Sequence, residues 1–465
     1  MRNREGLIVA AALAFGVGLV ASCGGSSKSD ILGGQDNGPD GSVAGNDGGS
    51  GNASDGGPSS AKDDAAAGKD GSVGPCTGVG CNVSACNGKA PTSLVGQVFD
   101  PAGKNALYNV IAYVPADPGA PLPKFSATDR CGATPLNPVT SALTDETGTF
   151  TLRGVPTMKG LPVVIQIGKW RKKITFDITN DCGENKITGK ILLPRNGSEG
   201  EMPQIAVTTG GCDALECLLL GMGIDQNEFK QGNDPTGHVH LYQGNGGTTG
   251  VDAQSMLWND AALLGNNDLV ALSCECDEHN ENKTNKQAMH DYVNAGGRVL
   301  ATHYHHTWFS NGPQMDFKDA AQWTPNGAGV GGPNYTVEQA FPKGHAFAQW
   351  LVNVGASTTL GQVPLSSVAS DLTGVNAPTQ AWIDANASSV KLFTFNAPIG
   401  AAPASQVGRV VYTDLHVSGS GGEAFPSGCL APGNALSAQQ KALEFMLFDL
   451  SACVQSDATP PTPPK

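Results

Sequence analysis

From Glu201 onward, short apolar runs alternate with stretches of helical spacing, and this alternation restricts the fold more than any other feature of the chain. "PQIAVTTGG" predicts a buried strand running into Gly210-Gly211. "CDALECLLLGMGI" then sets Leu215, Leu218, Leu219 and Met222 at helical spacing, with Gly223 at the stop. "NNDLVALSCEC" predicts a second strand, "KQAMHDYVNAGG" a helix burying Met289, Tyr292 and Val293, and "RVLATHYHH" the next strand. "HAFAQWLVNVGAS" predicts a further helix, "VKLFTFNAP" and "GRVVYTDLHV" two more strands. The last helix, "SAQQKALEFMLFDL", opens on a capping box of Ser437 and Gln440. Strands alternating with helices predict a parallel sheet covered on both faces: a doubly wound α/β, flavodoxin-like domain over 201–455.

The segments upstream are built differently. Residues 93–196 carry short alternating runs punctuated by turns, as in "SLVGQVFDPAGKNALYNVIAYVP", "TDETGTFTLRGVP" and "LPVVIQIGKWRKKITFDI"; this predicts a small all-β sandwich. Residues 24–75 hold eight aspartates, three lysines and few large apolar side chains, which cannot repay the entropy of ordering. With Cys23 they are expected to form a flexible tether (23–75), with a reach of roughly 40 Å. A Cys-rich connector (76–92) joins tether to sandwich, and 456–465 read as a Pro-rich tail. The net charge of −14, without a basic patch beyond "GKWRKK", argues against nucleic acid as a partner.

The first 22 residues have the pattern of a secretory signal: Arg2 and Arg4 precede an apolar run, and the exit is Val20-Ala21-Ser22-Cys23. That exit resembles the lipobox of bacterial lipoproteins, which implies lipidation of Cys23. The resemblance places the chain at the outer membrane, lipid-anchored, facing periplasm or exterior. Export implies disulfides. Cys76, Cys81 and Cys86 are expected to form a local knot, Cys131 and Cys182 to staple the sandwich, and Cys429 to join Cys453. Setting Cys23 aside leaves an odd number of cysteines, so at least one stays free or pairs between chains.

In parallel sheets ligands sit beyond the carboxyl ends of the strands. There the sequence puts Thr209, Gly210 and Gly211, whose amides are candidates for an anion; Ser273-Cys274-Glu275-Cys276; His303, Tyr304, His305 and His306; and Asp414 with His416. Three chemistries fit these residue types. In a strand, residues two apart share a face, so His303 with His305, or His238 with His240, could grip Zn²⁺, with Cys274, Cys276 and His279 as further ligands. Alternatively His303 or His416 acts as a base oriented by Asp414 or Glu275, and Cys274 with His303 is the nucleophilic version; the simpler expectation for Cys274 is a disulfide to Cys217 or Cys276. Finally, Tyr304 and Trp308 could line a glycan- or protein-binding cleft without chemistry.

Two resemblances add to this. Residues 93–196, with the pattern G-x-V-x-D, a Gly turn, "NV" and T-D-x-x-G-x-F-x-L, resemble the carboxypeptidase regulatory-like (prealbumin-like) domain, which implies a spacer or binding module. "YVNAGGRVLATHYH" followed by "GRVVYTDLH" resembles the class I glutamine amidotransferase-like superfamily, particularly its ThuA-like branch. His303 falls on that branch's first histidine, and His416 one position short of its second. No G-x-C-x-G nucleophile motif is present, so a glutaminase triad is not implied. The chain also resembles secreted bacterial lipoproteins with "GKWRRxI", "TTGGxDALECLL" and "FMLFDLSxCV" stretches. Some of these carry the name tryptophan synthase alpha chain, which would require a (β/α)8 barrel of about 250 residues that this pattern does not support. The expected role is cell-envelope binding or recognition of glycan or envelope protein on an amidotransferase-like scaffold. The alternative is a hydrolase using a His303/His416 cleft, with or without metal.

Overall fold

The computed structural model describes residues 78–125, 131–132, 135, 137–327, 332, 334–386, 388–417, 423–429 and 434–464. Cys23, the signal segment and the tether lie outside the described residues. No described helix is long and apolar enough to cross a membrane. The described chain is mostly β, arranged in several sheets, with some helices.

The first eight strands are β1 (Ser93–Phe99), β2 (Ile111–Val114), β3 (Thr140–Leu143), β4 (Thr149–Arg153), β5 (Leu161–Ile167), β6 (Trp170–Phe176), β7 (Glu184–Lys186) and β8 (Ile191–Leu192). They form two sheets: β4-β1-β7 with β8 also on β1, and β3-β2-β5-β6. Period-two alternation decides the packing. Leu94, Val98, Phe150 and Leu152 of one sheet share a core with Ala112, Val114, Val163 and Ile165 of the other. Ile111, Tyr113 and Val164 point the opposite way into a separate small cluster. The β3–β4 turn needs its glycine: Gly148 has φ +73°, and a Cβ there would stand 2.6 Å from the Val98 carbonyl oxygen.

The remaining strands are β9 (Ile205–Thr209), β10 (Phe229–Gln231), β11 (Val239–Gln243), β12 (Asp252–Ala253), β13 (Leu269–Leu272), β14 (Arg298–Thr302), β15 (Ala321–Trp323), β16 (Asn334–Val337), β17 (Gln362–Pro364), β18 (Leu372–Val375), β19 (Gln380–Asn386), β20 (Ser389–Ala397) and β21 (Gly408–Thr413). Most join one sheet in the order β10-β11-β9-β13-β14-β21-β20-β19-β16-β17, with β12 beside β11; β15 and β18 pair separately. From β10 to β21 neighbours run parallel, and from β21 onward antiparallel. The expected all-parallel sheet therefore holds for one half only. The connections explain this: β19 to β20 is a tight hairpin, and β20 reaches β21 without an α-helix to carry it across the sheet.

Helices cover both faces, and alternate residues of each strand serve alternate cores. Val207, Leu241, Ala271, Leu300 and Val411 pack with Leu218, Phe347 and Met446. Ala206, Val270, Leu272, Val299 and Val410 pack with Trp258, Met289 and Phe309. The first of these cores is continuous with the sandwich interior. Tyr108 stacks on Phe445, and the Trp350 indole donates to the Ala106 carbonyl at 2.5 Å. The helix Ala438–Ser451 carries the expected capping box.

Among the described residues, disulfides join Cys86 to Cys182, Cys131 to Cys453, Cys212 to Cys276 and Cys217 to Cys429; Cys76 of the expected local knot lies outside the described residues, and Cys86 leaves that knot for Cys182. This corrects the expected pairings of Cys131 with Cys182 and of Cys429 with Cys453. The packing of the sandwich against the last helix brings Cys131 to Cys453 instead. The Pro-rich end is also anchored, because Asp457 is drawn into ion pairs with Arg409 and Lys343.

Candidate functional site

Four adjacent parallel strands, β9, β13, β14 and β21, end on one edge of the sheet and deliver a polar cluster there. Beyond β9 comes Asp213, beyond β13 Cys274, beyond β14 His303, and beyond β21 Asp414 and His416. Asp371 enters from the residue before β18. Close approach at this edge depends on Gly210, where a Cβ would lie 2.1 Å from the Cys274 carbonyl oxygen.

Cys274 is the free cysteine among the described residues and is fully buried. Its Sγ lies 3.5 Å from His303 Nδ1, and its amide donates to Thr302 Oγ1 at 2.9 Å. The other His303 nitrogen, Nε2, lies 3.5 Å from Asp371 Oδ2. His416 meets the cluster edge-on, its ring centroid 4.9 Å from that of His303, and its Nδ1 is bonded to Asp213 Oδ1 at 2.9 Å. Asp213 has no exposed side-chain surface. It also accepts from the Val417 amide at 2.8 Å, the Cys274 amide at 3.3 Å and the Thr302 hydroxyl. One ligand atom from each of Cys274, His303 and His416 lies within 4.8 Å of the other two.

Burial and the nearby Asp213 carboxylate push the Cys274 thiol up to about 12. Burial pushes His303 down to about 4 against the opposing pull of Asp371. For His416 burial acts downward, but the hydrogen bond and charge of Asp213 outweigh it and raise the imidazole above its ordinary value. Burial and the neighbouring Asp371 push Asp414 up to about 7. The Tyr412 hydroxyl ties these groups together, lying 2.9 Å from the His303 carbonyl oxygen, 2.9 Å from Asp371 Oδ2 and 3.1 Å from Asp414 Oδ1.

Several residues singled out from the sequence stand elsewhere. "HYHH" is not a strand: β14 stops at Thr302, His303 turns into the left-handed region at φ +40°, and residues 303–306 form a 3-10 turn. The shared-face argument for His303 with His305 therefore fails. His305 is buried with both nitrogens engaged: Nδ1 accepts from the Trp308 indole at 3.2 Å, so Nε2 carries the proton toward the Ser273 carbonyl at 2.9 Å. It is a structural histidine, not a ligand, and burial pushes it down to about 3. Trp308 is buried against Trp258 rather than lining a cleft.

Glu275 orients neither His303 nor His416; it pairs with Lys283 at 2.8 Å. Asp414 is likewise turned away, toward the Asp371 amide at 3.0 Å and Lys391 at 3.9 Å. Of the amides expected to hold an anion, that of Gly211 is taken by the Asn245 carbonyl at 3.0 Å, and the next amide, Cys212, donates to the Cys274 carbonyl at 3.0 Å. The Thr209 hydroxyl accepts from Thr248 at 2.9 Å within the fold. His238 and His240 sit at the amino end of β11, bonded to Glu228 and Gln204. Cys276 is committed to Cys212. Tyr304 remains at the mouth of the site, its ring 3.9 Å from that of His303.

The residues missed from sequence are the orienting carboxylates. Asp213 carried a usable signal: in "GGCDALEC" it follows the Gly-Gly turn between strand and helix, where such sheets present polar groups. Asp371 lies in an aperiodic segment with no comparable signal. A separate cavity of about 270 Å³ opens at the opposite, amino ends of β13 and β14, beside Lys169, Asp268, Tyr292 and Arg298; its lining includes neither thiol nor imidazole.

No protein-family model matches this chain, and no curated protein matches it in sequence. Among solved structures it is similar to a chain from an N-terminal interface mutant of a type II cohesin–X-dockerin complex from Acetivibrio cellulolyticus. That match has 16% identity, covers 29% of this chain and 85% of that one, and has a TM-score of 0.16. A TM-score this low carries no argument about fold or function.

Proposed function

We propose that this chain is an envelope lipoprotein, anchored through Cys23 at the outer membrane, whose large-sheet region is a hydrolase centred on Cys274, His303 and His416. One observation carries this reading. Two imidazoles, each with one nitrogen directed to a buried carboxylate, converge on an unpaired thiol, while the cysteine two residues on is oxidised in the Cys212–Cys276 bridge. A histidine that serves only the fold spends both nitrogens on it, as His305 does; His303 turns Nδ1 to the Cys274 thiol, and His416 commits Nδ1 to Asp213 and leaves Nε2. The parallel half of the sheet and the positions of His303 and His416 also agree with a doubly wound, amidotransferase-like ancestry, and the first sheet pair with a prealbumin-like spacer. Glycan recognition is the weaker reading, because Trp308, its intended stacking platform, is buried.

The test is turnover of p-nitrophenyl esters, phosphates and glycosides and of peptide anilides by the full chain. His303→Ala and His416→Ala are each expected to lower kcat/KM by about 10²-fold or more, with the fold retained. Turnover unchanged in both variants, or none with any of these bond types, would sink the proposal.

A further inference from the structure

We infer that Cys274 Sγ, His303 Nδ1 and His416 Nε2 bind one divalent transition-metal ion of the zinc class. The inference rests on the same cluster as the hydrolase reading and deepens it.

Geometry comes first. Zinc bonds of about 2.3 Å to sulfur and 2.0–2.1 Å to nitrogen, arranged tetrahedrally, set those two atoms about 3.5 Å apart. Cys274 Sγ and His303 Nδ1 are 3.5 Å apart, and one ligand atom from each of Cys274, His303 and His416 lies within 4.8 Å of the other two. The pairing with carboxylates is the second argument. Asp213 holds Nδ1 of His416 and leaves Nε2; Asp371 faces Nε2 of His303 and leaves Nδ1. Opposite nitrogens are taken on the two rings; the remaining one on His303 meets the Cys274 thiol, and on His416 Nε2 is the nitrogen that Asp213 leaves. Metal-bound histidines are oriented by carboxylates in this way.

Charge is the third. Asp213 and Asp371 have no exposed side-chain surface. The cation near them, Lys391, is committed to the Ala369 carbonyl at 2.7 Å, the Ser370 hydroxyl at 2.6 Å and Asp414. A divalent ion would offset the two carboxylates without a further side chain. Thiolate with imidazole selects zinc or a neighbouring first-row ion over magnesium or calcium. Three protein ligands leave a fourth position for water, the arrangement of hydrolytic rather than structural zinc. His303 and His416 keep 13% and 18% of their side-chain surface exposed, which gives that water a route in.

The experiment uses the full chain, purified without chelator or metal-affinity step, with metal content by elemental mass spectrometry and affinity by chelator competition. About one equivalent of zinc is expected, together with a thiolate-to-cobalt charge-transfer band after exchange with Co²⁺. Cys274→Ser should abolish the band, Asp213→Asn should weaken binding by about 10–100-fold, and the exposed His345→Ala should change neither. The band in the unaltered chain depends on no variant folding; its absence, with no stoichiometric metal after reconstitution, overturns the inference. Turnover that survives complete chelation also overturns it and leaves a metal-free hydrolase standing. Stoichiometric metal through Cys274 with no hydrolysis of any bond type does the reverse: the site stands and the hydrolase reading falls.

Discussion

Two buried polar clusters flank the large sheet, and they are built on opposite plans. Around Arg409 every charge is matched. Its guanidinium donates to Asp449 at 2.7 and 3.0 Å, to Asp457 at 2.9 Å and to Asn396 at 2.6 Å, while Lys343 lies 2.9 Å from Asp449 and 3.2 Å from Asp457. Around Cys274 the carboxylates are buried, but His303 reaches its partners only at 3.5 Å and His416 commits one nitrogen alone, to Asp213. The first network closes on itself and fixes the last helix and the chain end; the second is oriented but left open. Closure suits a structural network, and incomplete closure at the sheet's carboxyl edge is what the proposed site requires.

The sharpest way to break this contrast is stability. Arg409→Ala leaves two buried carboxylates to share Lys343 and should cost about 3–5 kcal/mol in urea unfolding. His416→Ala should cost about 1.5–3 kcal/mol, the scale of one hydrogen bond to a charged group. A larger loss from His416→Ala would erase the distinction. Asp457→Asn, which leaves Arg409 its Asp449 partner, should fall between mild and moderate, at about 1.5–3 kcal/mol, read from the same urea curves. A neutral result there would mean the chain end is not held by charge.

A third polar pair gives a pH test. Asp100 and Glu444 share a hydrogen bond between the β1–β2 turn and the last helix, and Asn105 donates to Glu444 at 2.6 Å. Burial, then the like charge of Asp100, raises Glu444 well above its ordinary 4.5. A raised carboxyl binds its proton more tightly in the folded state. Its stabilisation is therefore full below the unfolded value and is lost as pH climbs above about 4.5 toward the folded one, at no more than about 1.4 kcal/mol per pH unit. Glu444→Gln should flatten that slope between pH 5 and pH 8 in chemical unfolding; superimposable slopes for the two proteins would refute the shared proton. The smallest effect is expected from Tyr304→Phe, which should shift stability by less than about 0.5 kcal/mol by thermal unfolding, because its ring and not its hydroxyl contacts His303. A larger loss would tie the hydroxyl into the site.

Local chemistry was readable in the sequence, and long-range geometry was not. The strand runs at 205–209, 269–272, 298–302 and 408–413, the helix at 438–451 and its cap follow from periodicity and capping residues that act within a few positions. The antiparallel half of the sheet depends on connections too short for a crossover, which periodicity does not encode. At the site, His303 and His416 stood out by residue type and strand-end position. Their orienting carboxylates, Asp213 and Asp371, lie far away in sequence, and nothing local distinguishes Asp371 from other polar residues. Reading "HYHH" as extended strand also misassigned His305, because the left-handed turn at His303 sends His305 and His306 into the core.

The disulfide connectivity sets a demand on biosynthesis. None of the four bridges among the described residues joins cysteines that are neighbours along the chain: Cys86 must pass over Cys131, Cys131 waits for Cys453 322 residues later, and Cys212 and Cys217 both reach beyond Cys274. A chain oxidised in the order it emerges would link the wrong thiols and would draw Cys274 into one of them. Correct maturation therefore calls for thiol–disulfide exchange after synthesis is complete. A recombinant host without a disulfide isomerase should accumulate folded-looking but mispaired protein in which the Cys274 thiol has already been consumed.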